Sequence, residues 1–195
     1  MISKSKISHD LFFIFKISLL YGLFSFGFSI ISLFLPDSFI VGNPLLVSGI
    51  SFEHVMGHIM WGFVAGIVTF SIKYAILCGL LPIILDFDHL LQFLDLEMIP
   101  RMAHSVPFGI IVFVILMLLF GKKDLRIPAI SLAAVFVHIS FDIFLVGKTE
   151  FPLFIPLTTH MFTFEGNSWI YFLTFGIVII FILSAIQLKK QRKFS

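Results

Sequence analysis

Long apolar runs alternate with short polar breaks along the whole chain. The first run, 11–35, is interrupted only by Lys16, whose aliphatic stem can carry its charge to nearby headgroups. Pro36 and Gly42-Asn43-Pro44 mark a loop. Apolar runs follow at 54–71 and 74–85, the latter short and carrying Pro82. Residues 86–103 hold Asp86, Asp88, Asp95, Glu97 and Arg101. Beyond them come apolar 104–120, a basic turn at 121–126, apolar 128–146, a Pro-containing loop at 147–167 and a last run at 168–188. One bilayer crossing takes about 20 apolar residues. The pattern predicts an all-α, polytopic membrane helical bundle of about six transmembrane helices. A cleaved signal peptide is the rival reading of the first run, but that run exceeds the usual apolar region of about 7–15 residues, and no small-residue cleavage pattern follows it.

Composition points the same way. Of 195 residues, 59% are hydrophobic and 12% charged, against about a quarter charged in soluble domains, and 27 are Phe. The lipid bilayer is thus the first expected partner, and six crossings leave no room for a second soluble domain. A net charge of +2 without a basic stripe argues against nucleic acid. The single cysteine, Cys78, excludes an intramolecular disulfide and makes a thiolate metal cage a poor fit. Short cytoplasmic loops are enriched in Lys and Arg. Placing the N-terminus inside puts Lys4, Lys6, Lys73, Lys122, Lys123, Arg126, Lys189, Lys190, Arg192 and Lys193 on the cytoplasmic side, leaving Arg101 and Lys148 outside. Both termini of a multi-pass cell-membrane protein are then cytoplasmic. His54, His58, Asp86, Asp88, His89, His104 and His160 fall at the outer side, with Asp142 within about two turns of it.

That grouping carries the candidate chemistry. The apolar run 80–85 ends abruptly in Asp86-Phe87-Asp88-His89, and carboxylates at the end of a hydrophobic segment need a partner because desolvating an unpaired charge costs several kcal/mol. A divalent cation is the natural candidate. Asp86 and His89 share a helix face, whereas Asp88, about 200° round from Asp86, points away unless the helix unwinds there. His54 and His58 are four apart, as are His138 and Asp142. The second pair sits within an apolar run, where an ionisable group is costly; it either binds metal or forms a structural hydrogen bond. Mixed His and carboxylate ligands favour zinc, manganese or iron over calcium. Arg101 beside such a site can clamp a phosphate and stabilise developing charge. Ser105 is either a nucleophile or a helix cap. His9, on the other side of the membrane by the charge argument, and His160, in a loop with no partner at helical spacing, read as bystanders.

The order of motifs resembles a family. Gly57-His58-Ile59 with Gly62 and Gly66, Leu85-Asp86-Phe87-Asp88-His89, Arg101-Met102-Ala103-His104-Ser105, and His138-Ile139-Ser140-Phe141-Asp142 followed by 151–156 are similar to the membrane-bound metal-dependent hydrolases. That family is also described as LexA-binding, inner-membrane-associated hydrolases and is similar in ligand pattern to zinc-dependent phospholipase C. The resemblance covers about 55–160. It implies that His58, Asp86, His104, His138 and Asp142 match the family's metal ligands, with Asp88 and His89 beside them. It also implies a core at 53–195 preceded by an added helix and loop at 1–52. The sequence departs from the family at Leu85 and Pro100, where Pro and His are usual.

The expectation is a metal-dependent hydrolase of a phosphoester or phospholipid at the outer leaflet. Its ligands are His58, Asp86, His89, His104, His138 and Asp142, with Asp88 as general base and Arg101 as charge stabiliser. The rivals are a divalent-metal transporter, to which a His-x-x-x-Asp pair inside a span is equally suited, and a catalytically inactive scaffold, for which Pro100 speaks.

Overall fold

The computed structural model describes residues 4–47 and 51–193. Their architecture is all-helical. In chain order the helices are α1 (Lys4–Ser29), α2 (Pro44–Val47), α3 (Phe52–Gly66), α4 (Ile72–Leu85), α5 (Val106–Phe120), α6 (Arg126–Val146) and α7 (Ser168–Arg192). Tighter 3₁₀ turns extend α1 over Ile30–Phe34, α3 over Ile67–Thr69 and α4 over Asp86–Leu94. Two short antiparallel ribbons complete the fold. One pairs β1 (Phe39–Ile40) with β2 (Glu97–Met98), the other β3 (Lys148–Phe151) with β4 (Phe162–Glu165).

Helix α6 is the centre of the bundle. From Arg126 to Ile143 every residue except Leu132 is buried, a pattern that only neighbours on all sides can produce. Helices α3, α4, α5 and α7 pack around it. Helix α7 has the opposite character. Its buried residues, Gly176, Ile180, Ser184 and Gln187, form a single stripe, and the rest of its apolar surface faces outward. Helix α1 packs on α4 and on the 86–94 turns. It is tied into the core through the Tyr21 hydroxyl, which donates to the Ser131 carbonyl at 3.2 Å, and through Ser25, which donates to the Leu85 carbonyl. The boundary expected at 52/53 thus separates a helix that is firmly docked on the remainder. Residues 1–3 and 48–50 on its near side, and 194–195 at the far end, lie outside the described residues.

Four helical stretches among the described residues are long and apolar enough to cross a membrane: Ser5–Phe34, Ile72–Leu94, Arg126–Val146 and Ser168–Arg192. The expected six spans are not supported. The runs at 54–71 and 104–120 form 15-residue helices: α3 gives way to a 3₁₀ turn at Ile67 and stops at Phe70, whose φ of 55° is left-handed, and α5 begins only after its cap, Ser105. The third run, expected to be short, is lengthened instead, since its helix does not stop at the carboxylates but tightens into 3₁₀ geometry through Leu94. The loop expected at 147–167 contains the β3–β4 ribbon, which the run of prolines and polar residues concealed.

Candidate metal centre

Helix tightening at Asp86 is the local event that builds the site. An α-helical Asp86 would donate its N–H to the Pro82 carbonyl; here it turns to Ile83 and Ile84 instead. The Pro82 carbonyl is thereby free to accept from His138 Nδ1, 2.6 Å away on α6. With its proton committed there, His138 points the lone pair of Nε2 into the cluster.

His104 is held in the same sense. It follows the turn at Arg101, whose φ of 60° lies in the left-handed region. Its Nδ1 donates to Asp88 Oδ2 at 3.1 Å, and the Ala103 N–H donates to the same oxygen at 2.8 Å. The Nε2 lone pair of His104 is therefore aimed inward, and it stands 2.8 Å from His138 Nε2. Two ring nitrogens that both present lone pairs at that distance repel each other unless a cation or an extra proton lies between them. The carboxylate–histidine arrangement is the one that fixes ring tautomers around metals.

The remaining members close around these two rings. Asp86 Oδ1 lies 3.3 Å from His104 Nε2 and 3.5 Å from both His138 Nε2 and His89 Nε2. Asp142 bridges the other side, with Oδ1 3.1 Å from His58 Nε2 and Oδ2 3.4 Å from His138 Nε2. The His58 ring stacks on His138 at a centroid separation of 3.9 Å, and His58 Nε2 is 3.1 Å from His54 Nε2. Gly57 makes room for this: a Cβ there would sit 2.0 Å from the Phe141 ring, which packs on His58.

Seven of the eight side chains are buried, and the eighth, Asp86, nearly so. The side chains of His54 and Asp86 are each 11% exposed and form the mouth. Asp86 Oδ2, Asp88 Oδ1 and His58 Nδ1 have no hydrogen-bond partner among the described residues. Orphaned carboxylate oxygens in a dry interior are costly, and a cation is what such a donor set fits. Several sets of donors lie within 4.8 Å of one another and can hold a metal ion: Asp86, Asp88, His89 and His104; His54, His58 and Asp142; His58, Asp86 and His138; His104, His138 and Asp142. The first two sets share no residue, so the cluster has donors enough for two ions.

Each expected ligand, His58, Asp86, His89, His104, His138 and Asp142, reaches the cluster. Asp88 differs from its expected posture. In 3₁₀ geometry it does not point away from Asp86 and His89; it is fully buried, 3.7 Å from His89 Nε2, and holds His104. Arg101 is also differently engaged. Its Nη1 donates to Thr149 Oγ1 at 2.8 Å and to the Glu150 carbonyl at 3.2 Å, and its guanidinium lies 5.2 Å over Phe151, whose ring stacks on His104. Arg101 thus staples the 99–105 loop to β3 beside the mouth. Ser105 is the cap of α5, accepting from the Phe108 N–H at 3.3 Å. His160 packs edge-on against Phe162 in an exposed position and His9 is exposed on α1; neither joins the cluster.

Two members escaped sequence reasoning. His54 was visible as the i−4 partner of His58 but not as a ligand. Gln92 is the partner of His89, its amide 2.6 Å from Nδ1. With the amide nitrogen toward the ring, His89 Nδ1 accepts. Turned over, the partnerless Oε1 of Gln92 would accept from Nδ1 and free the Nε2 lone pair for a metal. The signal was the three-residue spacing from His89 to Gln92. Outside the helical spans, His104 shows the balance of forces: burial alone would depress its imidazole, but the Asp88 and Asp86 carboxylates facing it raise it above the ordinary histidine value.

Fold and site together define a class: an all-helical protein whose four apolar helices fit a membrane and whose core holds a His/Asp cluster able to bind metal. Compared with known proteins, the chain matches no family model, no curated protein and no solved structure.

Proposed function

We propose that this protein is a membrane-bound, metal-dependent hydrolase of a phosphoester, taken from a lipid at the leaflet where the cluster opens. The observation that carries the reading is the pair of imidazoles, His104 and His138, whose outward nitrogens are committed to Asp88 and Pro82 and whose inward nitrogens face each other at 2.8 Å. Such a pair is preorganised for a cation, and mixed His and carboxylate donors favour zinc, with manganese or iron as alternatives. A divalent ion held there supplies Lewis acidity, polarising a phosphoryl oxygen and acidifying water. Asp86 and Asp142 balance its charge. Asp88 holds the His104 tautomer in place of acting as a free base. His54, whose side chain is 11% exposed at the mouth, is the group placed to exchange a proton with substrate. Arg101, held by Thr149 and Glu150 and lying over Phe151, sets positive charge beside the mouth.

The transporter reading has less support. An ion path needs polar groups beyond the cluster, and α6 between Arg126 and His138 carries only Ser131, whose hydroxyl is turned back to the Pro128 carbonyl at 2.7 Å. The deciding experiment offers phosphomonoesters, phosphodiesters and short-chain phospholipids to purified metal-loaded protein in detergent, with His138→Ala as control. Hydrolysis lost in the control supports the proposal. Metal flux into proteoliposomes without cleavage of any substrate would establish the transporter instead.

A further inference from the structure

At the opposite end of the molecule, a cavity of about 490 Å³ opens between the start of α1 and the start of α4, with Arg126 of α6 at its edge. Along α4 and α6 this end is about 18–21 Å from the His/Asp cluster, at 1.5 Å per residue, so it is a separate site. It also lies where three of the helical stretches long and apolar enough to cross a membrane begin.

The wall divides by chemistry. Leu11 and Ile76 belong to its apolar part, while Lys6, Lys73 and Arg126 bring three cations and Asp10 one carboxylate. Two of the cations are already balanced. Arg126 donates from Nε and Nη2 to the two oxygens of Asp124, at 2.9 and 2.6 Å, and lies 4.1 Å over the Tyr74 ring. Lys73 Nζ is 3.3 Å from Asp10 Oδ1. Lys6 has no ion pair or hydrogen bond among the described residues, so the cavity carries one positive charge in excess. An aqueous anion would answer the charge but not the apolar wall. An anionic phosphodiester lipid answers both, because its headgroup carries one net negative charge and its chain is hydrocarbon. Basic pockets between membrane helices take such headgroups.

We propose that this cavity binds an anionic phospholipid of net charge −1, with its phosphodiester against Lys6 and Lys73 and an acyl chain along Leu11 and Ile76. The half-buried Lys73–Asp10 pair does not block it, since a pair still open to solvent is worth little and a phosphate can compete for the ammonium.

The test is native mass spectrometry of the full chain, purified in non-ionic detergent and supplied with phosphatidylglycerol or phosphatidylcholine. One phosphatidylglycerol per chain is expected to be retained, and phosphatidylcholine to be shed. Lys6→Ala should weaken retention about fivefold, the effect of one charge near a headgroup, and Asp10→Asn should strengthen it by a similar factor. Lys122→Ala removes a charge from the same end but not from the cavity, and should leave retention unchanged. Lys6 is exposed, so its variant should elute as wild type on gel filtration. Equal retention of the two lipids would overturn the proposal. So would equal losses in Lys6→Ala and Lys122→Ala, which would signal bulk surface charge, or displacement of the lipid by inorganic phosphate.

Discussion

The most informative side chain for testing the centre is Asp88. As a general base its loss would spare metal binding and cut turnover about 10²–10⁴-fold. Its observed contacts say otherwise, because both the Ala103 N–H and His104 Nδ1 end on its Oδ2. Partners that orient a ligand typically contribute 10–100-fold to metal affinity. Asp88→Asn is therefore expected to weaken metal retention by that factor in a chelator competition. Unaltered affinity with lost turnover would return Asp88 to the role of base. His138→Ala removes a ring shared by two donor sets and leaves Asp86 and Asp142 facing each other, so metal content and melting temperature should fall together. His160→Ala should leave both as they are.

Among the elements, α3 and α4 meet backbone to backbone. Pro82 has no N–H for the Cys78 carbonyl, and it is on this carbonyl that α3 lies: a Cβ on Gly62 would meet Cys78 O at 2.2 Å and Gly79 Cα at 3.0 Å. Backbone cannot step aside as a side-chain tip can. Gly62→Ala should separate the two helices and destabilise the protein by about 1–3 kcal/mol, measured as a shift in chemical denaturation in detergent. The turn between α5 and α6 has an electrostatic signature. Burial pushes the Asp124 carboxyl up, but hydrogen bonds from Arg126 and Tyr74 more than offset it and hold it below the ordinary carboxylate value. A group with a lowered folded value stabilises above its unfolded value and loses that contribution as pH falls through the folded one. The acid limb of the stability curve, below about pH 4, should flatten in Asp124→Asn; an unchanged limb would show that the turn contributes nothing there.

For the molecule as a whole, most of the basic residues lie at the end opposite the cluster, with Arg101 and Lys148 on the cluster's side. Lys190 Nζ donates to the Lys122 carbonyl, and Gln187 is hydrogen-bonded to Leu125 and Lys123, which ties the end of α7 to the α5–α6 turn. The long helices α1, α4 and α6 all run from the basic end toward the cluster, so the chain must return between them through α3 and α5. Both are short for a crossing, with α3 lengthened by its 3₁₀ turn. If the basic end is cytoplasmic, single cysteines at Leu96 and Leu125 in a Cys78→Ala background should label from opposite sides with an impermeant thiol reagent. Labelling of position 125 alone from outside would invert the orientation and move the centre to the cytoplasmic leaflet.

Sequence by itself determined the helical, membrane-compatible character of this chain, because burial of apolar side chains adds up residue by residue along each run. It also determined most of the donors: His138 and Asp142 stand four apart within one helix, and Asp86 ends an apolar run, both local facts. Tertiary structure alone decided how the donors are used. Pro82 becomes the partner of His138 only because α4 tightens at Asp86, and Asp88 turns from a distant carboxylate into the support of His104 for the same reason. The ribbon of Phe39 and Ile40 with Glu97 and Met98 joins segments far apart in the chain, which no periodicity records. The length of each span was likewise decided by caps and 3₁₀ turns at its ends, where a few hydrogen bonds outweigh what hydropathy averages over a run.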